Sequence, residues 1–380
     1  MTFVLTYMDY GLLAALLLML CYQCYFYLRY MTAVSRKQRK NQPNKYFTPK
    51  VSVVVCARNE QTNLQDYLHA LLTQDYPCYE VIVVNDGSED DTQLILERYA
   101  QQCNHLYITF VPKDARVISS KKLALTIGVK AANYDYILLT DADCRPESPY
   151  WIREMMQGFA NEQTEVVLGY GAYFEKKSLL SRLISYDTLF IGLQYLGMAA
   201  AGHPYMGVGR NLAYKKETFF RNNGFRGLLG ERAGDDDLFV NKVTTKRNTN
   251  IVCSKESVTW SAPKTTWGEW LHQKRRHLSV SPHYKSQSKL RLGFEPMTRG
   301  LFYALLIAVA VMGSFWALVI AAAAACCLRL VMQLCVINTA AHRLGGRLFG
   351  IEIVAYDIAL PLISLWILLT QRFRKQPIYW

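Results

Sequence analysis

Apolar residues are spaced along the chain in two ways. Short apolar runs edged by polar residues recur at Val51–Ala57, 80–84, 106–111 and 137–140. Runs of that length, rich in Val and Ile, predict buried strands. Between them residues 62–73 repeat Leu64, Tyr67, Leu68, Leu71 and Leu72 at helical spacing, and residues 92–102 form a second helical stretch. Strand and helix thus alternate, which predicts an α/β domain built on a parallel, doubly wound sheet. The second kind of run is longer. Residues 11–28 and 300–328 are almost unbroken Leu, Ala, Met, Tyr, Phe and Val, and 351–370 is a third such stretch with Asp357 and Pro361 inside it. A bilayer core is crossed by about 20 apolar residues, so these are candidate membrane helices. The predicted layout is a membrane helix over 1–30, a basic linker over 31–49, the α/β domain over 50–260, interfacial helices over 261–299, and a membrane region over 300–380 with two or three apolar segments.

Charge places these parts. No cation precedes the first apolar run, whereas Arg29, Arg36, Lys37, Arg39 and Lys40 follow it. This is the reverse of a signal peptide. By the positive-inside rule it predicts a multi-pass cell-membrane protein with its N-terminus outside and the α/β domain in the cytosol. The basic tail Arg372, Arg374, Lys375 also prefers the cytosol, so an even number of crossings should follow the domain. Three C-terminal segments would need one of them to be re-entrant. The formal net charge of +13 sits beside the apolar segments, which predicts contact with anionic lipid and no nucleic-acid partner. Cys21 and Cys24 lie inside the first apolar run, where they read as packing residues and not as a redox pair. Trp260, Trp267 and Trp270 read as an interfacial belt.

The chemistry gathers at strand ends. The run 137–140 stops on Asp141-Ala142-Asp143, two carboxylates one residue apart, able to share a hard divalent cation such as Mg²⁺. Taken alone, an Asp-x-Asp reads more readily as a solvated acidic turn. The strand over 80–84 ends on Asn85-Asp86-Gly87-Ser88, which lacks the three glycines of a dinucleotide fingerprint and so counts against a dehydrogenase. Asp86 could equally cap the following helix. In a doubly wound sheet Ala57, Asp86 and Asp141 reach the same carboxyl edge and outline one pocket.

These motifs, with Lys121-Lys122-Leu123, Gly234-Asp235-Asp236-Asp237-Leu238 and Gln273-Lys274-Arg275-Arg276-His277, resemble in order and spacing the family-two glycosyltransferases. The likeness is greatest to the membrane-embedded branch that includes cellulose and hyaluronan synthases and ceramide glucosyltransferases. The resemblance covers about residues 50–280. It implies a GT-A, Rossmann-like nucleotide-sugar domain flanked by transmembrane helices, acting as an inverting glycosyltransferase on a UDP-sugar and a lipid-linked or polysaccharide acceptor. It further implies that Asp86 accepts a hydrogen bond from the base, that Ala57 and Glu60 wall the ribose side, and that Lys121 lies near the diphosphate. Asp141 and Asp143 would hold Mg²⁺ or Mn²⁺, with Cys144 an inert neighbour. Aligned on Gly234 and Asn241, the acidic triplet makes Asp236 the general base, Asp235 its positioning neighbour and Asp237 the runner-up. The plainer alternative is an acidic helix N-terminus favoured by the macrodipole, to which the other motifs leave the smaller share. Residues 207–214 would floor the acceptor. Gln273 and Arg276 match the family's Q-x-x-R-W, and His277 stands where that motif has Trp, which weakens the case for a long-polymer synthase. A nucleotidyltransferase shares the strand-end Asp-x-Asp and a metal but leaves Gln273 and Arg276 unexplained. A non-catalytic nucleotide-sugar-binding scaffold leaves the retained acidic positions unexplained.

Overall fold

The computed structural model describes residues 7–37, 47–112, 120–228, 234–312 and 316–371. The linker cations Arg39 and Lys40 and the tail cations Arg372, Arg374 and Lys375 lie outside them. Helix α1 (Tyr7–Phe26) continues through a π turn into α2 (Ala33–Lys37). The α/β domain then runs β1 (Val51–Ala57), α3 (Gln61–Leu72), β2 (Tyr79–Asn85), α4 (Thr92–Ala100), β3 (Leu106–Phe110), α5 (Ser120–Ala131) and β4 (Tyr136–Asp141). Every residue of β1 is buried, as expected for a strand covered on both faces.

The second half of the domain is β5 (Cys144–Pro146), α6 (Trp151–Gln157), β6 (Val166–Leu168), β7 (Gly171–Tyr173), α7 (Leu179–Ala200), β8 (Leu212–Lys215), α8 (Lys216–Arg221), α9 (Asp237–Val243), β9 (Thr249–Ile251) and β10 (Thr259–Ser261). Among the described residues the main sheet has seven strands in the order β3-β2-β1-β4-β8-β6-β9, and β5-β10-β7 form a smaller one. The sheet is mixed, not parallel throughout: β8 runs antiparallel to both β4 and β6. The all-parallel expectation fails here because β6, β8 and β9 are three or four residues long, too short to show a period.

Helix α7 is buried nearly all round, so it has no polar face to betray it in the sequence. It packs against the turn after α1 so closely that a Cβ on Gly197 would lie on the Tyr30 carbonyl oxygen. The chain ends with α10 (Trp267–Leu278), α11 (Ser286–Met312), α12 (Trp316–Arg343) and α13 (Glu352–Gln371). Helices at 7–36, 286–312, 316–343 and 352–370 are long and apolar enough to cross a membrane. The long run from Gly300 is thus divided between two helices, and α11 begins well before it and continues across position 299 without a break. Arg329, out of place in an apolar run, is buried against Asp357 at 2.8 Å, and Asp357 also pairs with Arg299 at 2.9 Å. The tryptophan belt is not what forms. Trp260 lies on β10 and Trp270 on α10, both in the hydrophobic core, and only Trp267 of the three is exposed. Their spacing suits an interface, but Trp260 stacks on Phe174 inside the domain, with ring centroids 6.1 Å apart.

Candidate active site

The carboxyl edges of β1, β2 and β4 lie side by side: Ala57 pairs with Asn85 and Cys56 with Asp141. The Asp86 N–H donates to the Ala57 carbonyl at 2.8 Å, which turns the chain out of β2, and Gly87 follows at φ 65°. Two loops are laced together above this edge. Asn59 accepts from the Glu89 N–H at 2.8 Å, the Glu60 N–H donates to Thr92 Oγ1 at 2.9 Å, and the Gln61 N–H donates to Asp90 Oδ2 at 3.1 Å.

Asp86 does not cap α4. The N-cap is Asp91, and Asp90 before it accepts from the Thr92 N–H at 3.1 Å. Asp86 is 1% exposed, and among the described residues neither carboxylate oxygen has a hydrogen-bond partner. Such a group is costly unless something else donates to it. Two acceptors without donors, at the edge where α/β sheets bind ligands, form a receptor for N–H groups.

At the end of β4, ligand atoms of Asp141, Asp143 and Cys144 all lie within 4.8 Å of one another. Burial and the charge of Asp141 push the Asp143 carboxyl up, and burial holds the Cys144 thiol well above its ordinary range. A protonated thiol is a poor ligand, so the two carboxylates are the donors this site offers a hard cation, and they suit Mg²⁺ or Mn²⁺. Burial and the charges of Asp143 and Asp141 also raise Glu60, while Asn63 Nδ2 donates to its Oε2 at 2.5 Å.

Lys121, at the start of α5, bridges two motifs far apart in sequence. Its Nζ lies 3.1 Å from Asp141 Oδ1 and 3.3 Å from Asp235 Oδ2. Burial alone would lower the lysine, yet Asp141 and Asp235 outweigh it and hold it well above its usual range. In turn burial pushes Asp235 up, and Lys121, with Arg276 behind it, more than offsets this and holds it below the ordinary carboxylate range.

The acidic triplet splits into three environments. Gly234, at φ 85°, turns the chain so that Asp235 faces Lys121. Asp236 is the N-cap of α9: its Oδ1 accepts from the Asp237 N–H at 2.8 Å and its Oδ2 from the Gly209 N–H at 2.7 Å. Burial and then the charge of Asp235 raise its pKa. Asp237 turns inward, where Tyr284 Oη donates to its Oδ2 at 2.8 Å, and burial with the Asp236 charge pushes it up to about 8. The folded chain therefore holds a proton on Asp237 that the unfolded chain gives up near its ordinary value of 3.8. Stability contributed by that proton is fully present below the unfolded pKa and is lost as pH rises toward 8. Thermal midpoints should fall between pH 5.5 and 8.5 in the native protein, and Asp237→Asn should flatten that slope; an equally steep slope in the variant would remove Asp237 as its source.

The segment before β8 carries a residue whose part the motifs did not announce. Arg210 donates to the Gly171 and Ala172 carbonyls and to Ser261 Oγ at 3.0, 3.1 and 2.9 Å, and its guanidinium lies 4.4 Å from the Tyr173 ring centroid. It fastens the small sheet to the acidic edge. Gln273 Nε2 donates to Tyr173 Oη at 2.9 Å, so α10 docks on the same tyrosine. A buried ion pair, Lys274 to Asp187 on α7 at 2.7 Å, fixes the helix, while Arg276 and His277 remain exposed on it.

The fold agrees with what known proteins show. Residues 52–220 match the family model described as Glycosyl transferase family 2. A Bacillus subtilis (strain 168) protein named Probable glycosyltransferase YdaM is 27% identical over 256 residues, covering 65% of this chain and 58% of that one. A poly-beta-1,6-N-acetyl-D-glucosamine synthase of Staphylococcus epidermidis is 33% identical over 135 residues, covering 35% of this chain and 31% of its own length. The matched part thus spans well under two thirds of these relatives. In the solved structures, the mannosyltransferase PcManGT from Pyrobaculum calidifontis, determined with GDP-Man and Mn²⁺, superposes with a TM-score of 0.58 at 21% identity, covering 93% of this chain and 99% of that one. The shared fold is GT-A.

Proposed function

We propose that the protein transfers a sugar, with inversion, from a UDP-sugar to a lipid-linked or polysaccharide acceptor at the cytosolic face of the cell membrane. The observation that carries this is the meeting, at one sheet edge, of a buried Asp86 carboxylate lacking donors with the Asp141–Asp143 pair and the Lys121–Asp235 bridge. The imide N–H of uracil is the kind of donor Asp86 lacks, and a charged acceptor makes that bond about twice as strong as a neutral one. Ala57 and Glu60 border the ribose side. A divalent ion on Asp141 and Asp143 would stabilise the charge of the departing nucleoside diphosphate. Asp141 also pairs with Lys121 at 3.1 Å, and Arg276 adds positive charge from α10. Asp236 takes the proton of the acceptor hydroxyl. Its raised pKa suits that role, and the Gly209 and Asp237 N–H groups fix its orientation. Gln273 and His277 border the acceptor side with residues 207–214. Poly-N-acetylglucosamine synthases among the relatives support a saccharide acceptor, and the Mn²⁺ of the mannosyltransferase supports a metal.

The test is donor binding. Asp86→Asn keeps the size of the side chain and removes its charge, so affinity for the nucleotide-sugar measured by calorimetry should fall about 10- to 100-fold, the worth of a hydrogen bond to a charged group. Affinity equal to that of the native protein would show that the base lies elsewhere. A panel including UDP-N-acetylglucosamine, UDP-glucose and GDP-mannose assigns the nucleotide in the same titration.

A further inference from the structure

The four apolar helices are not equivalent in their packing. Helices α1, α11 and α12 share an apolar core of their own, in which Leu16 and Leu20 meet Phe302, Val309, Leu318, Ala322 and Ala325. Helix α13 has no part in it. Its buried Ile353 and Leu360 belong to the core of the catalytic domain. The Tyr356 ring lies 5.5 Å from that of Tyr186 on α7, and Arg275 of α10 sits 5.3 Å over the Trp366 ring. Both ends of α13 therefore rest on the catalytic domain.

A helix leaving the domain at Glu352 and crossing the bilayer would carry Trp366 roughly 21 Å along its axis, at 1.5 Å per residue. Arg275 would then have to follow it into hydrocarbon, a position that is expensive for a charge. Arg275 cannot do so, because the next residue back, Lys274, is tied to Asp187 of the domain at 2.7 Å and Gln273 to Tyr173 at 2.9 Å. Asp357 gives the same level from the other side. It meets Arg299, Arg329, Tyr303 and Gln333, and Arg329 also donates to Gln23 at 3.1 Å, a polar layer closing the domain end of the α1–α11–α12 bundle. The outward face of α13 presents Ile358, Leu362, Leu365 and Leu369, all exposed and one helical stripe.

We propose that α13 lies along the membrane surface on the side that carries the catalytic domain, with the Ile358–Leu362–Leu365–Leu369 stripe set into the boundary between headgroups and acyl chains. The chain then crosses by α1, α11 and α12 alone. Its apolar length, which reads as a crossing segment, comes from having protein core on one face and lipid on the other. With three crossings, domain and tail share one side, and the charge rule is satisfied for both. This placement does not depend on the reaction the domain performs.

The test is labelling in sealed membrane vesicles with a membrane-impermeant maleimide. Gln376→Cys should react from the same side as the native Cys78 of the domain, and Ser314→Cys, between α11 and α12, only from the opposite side. Gln376→Cys reacting from the side opposite Cys78, or Ser314→Cys from the same side, overturns the proposal. An epitope tag after Trp380, probed with antibody in the otherwise unaltered chain, reports the tail's side without relying on a cysteine variant. Depth gives a second reading: a spin label at Leu362→Cys should report the headgroup–acyl boundary, whereas a label at the bilayer centre means that α13 crosses.

Discussion

Asp236→Asn is expected to slow sugar transfer by about 10²–10⁴, the contribution of a positioned general base, while leaving affinity for the nucleotide-sugar unchanged. The separation follows from where the groups sit. Donor contacts come from the strand ends at Asp86, Asp141 and Asp143, whereas Asp236 is held by the Gly209 and Asp237 N–H groups at 2.7 and 2.8 Å. Both of its oxygens accept, so Asn, whose one amide oxygen can still cap α9, leaves the second N–H without its acceptor, at a cost of about 1–3 kcal/mol. Asp236→Ser is an independent test, because its hydroxyl can also cap the helix and is no base. Both variants should be slow in transfer. Asp237→Asn should be much milder, since that carboxyl faces Tyr284 in the interior. If Asp236→Asn transfers at the native rate and Asp235→Asn or Asp237→Asn is inactive, the base is the neighbour that failed.

Removal of divalent metal is expected to abolish transfer, and Asp143→Asn to reduce it by at least about 10²-fold, because a bound cation supplies several kcal/mol of stabilisation to the leaving diphosphate. Asp143 is the more telling of the pair. Asp141 already has a cation in Lys121 at 3.1 Å, whereas among the described residues the hydrogen-bond partner of Asp143 is the Cys144 thiol alone, at 3.4 Å. Chelation followed by return of Mn²⁺ should restore the native protein and not the Asp143→Asn variant. Full activity in excess chelator would contradict the metal role of this edge.

Much of the fold could be read from the chain because its decisive elements are long. β1, β2 and β4 are apolar runs bounded by polar turns, and the carboxylates at their ends fall at one edge simply because the strands are parallel neighbours. The antiparallel β8 and the small β5-β10-β7 sheet escaped because strands of three or four residues show no period. α7 escaped for the opposite reason, being buried on every side. Trp260 and Trp270 show how an aromatic cluster next to basic residues can be core: spacing gives no sign that a strand and a helix fold inward there. In the site, motif positions indicated which acids matter but not their differences. Three consecutive aspartates differ because Lys121, Gly209 and Tyr284 approach them from α5, the turn before β8 and the segment before α11. Those long-range partners, like the docking of Arg210 on Tyr173, are properties of the assembled chain.

The most direct measurement is product analysis on the full chain, purified in detergent with Mn²⁺, a panel of nucleotide-sugars and a lipid extract as acceptor source. The expected result is release of nucleoside diphosphate from one donor, matched by sugar incorporated into the acceptor and lost on chelation. Release of pyrophosphate, or binding of a nucleotide-sugar without turnover for every donor, would contradict a glycosyl transfer reaction at this site.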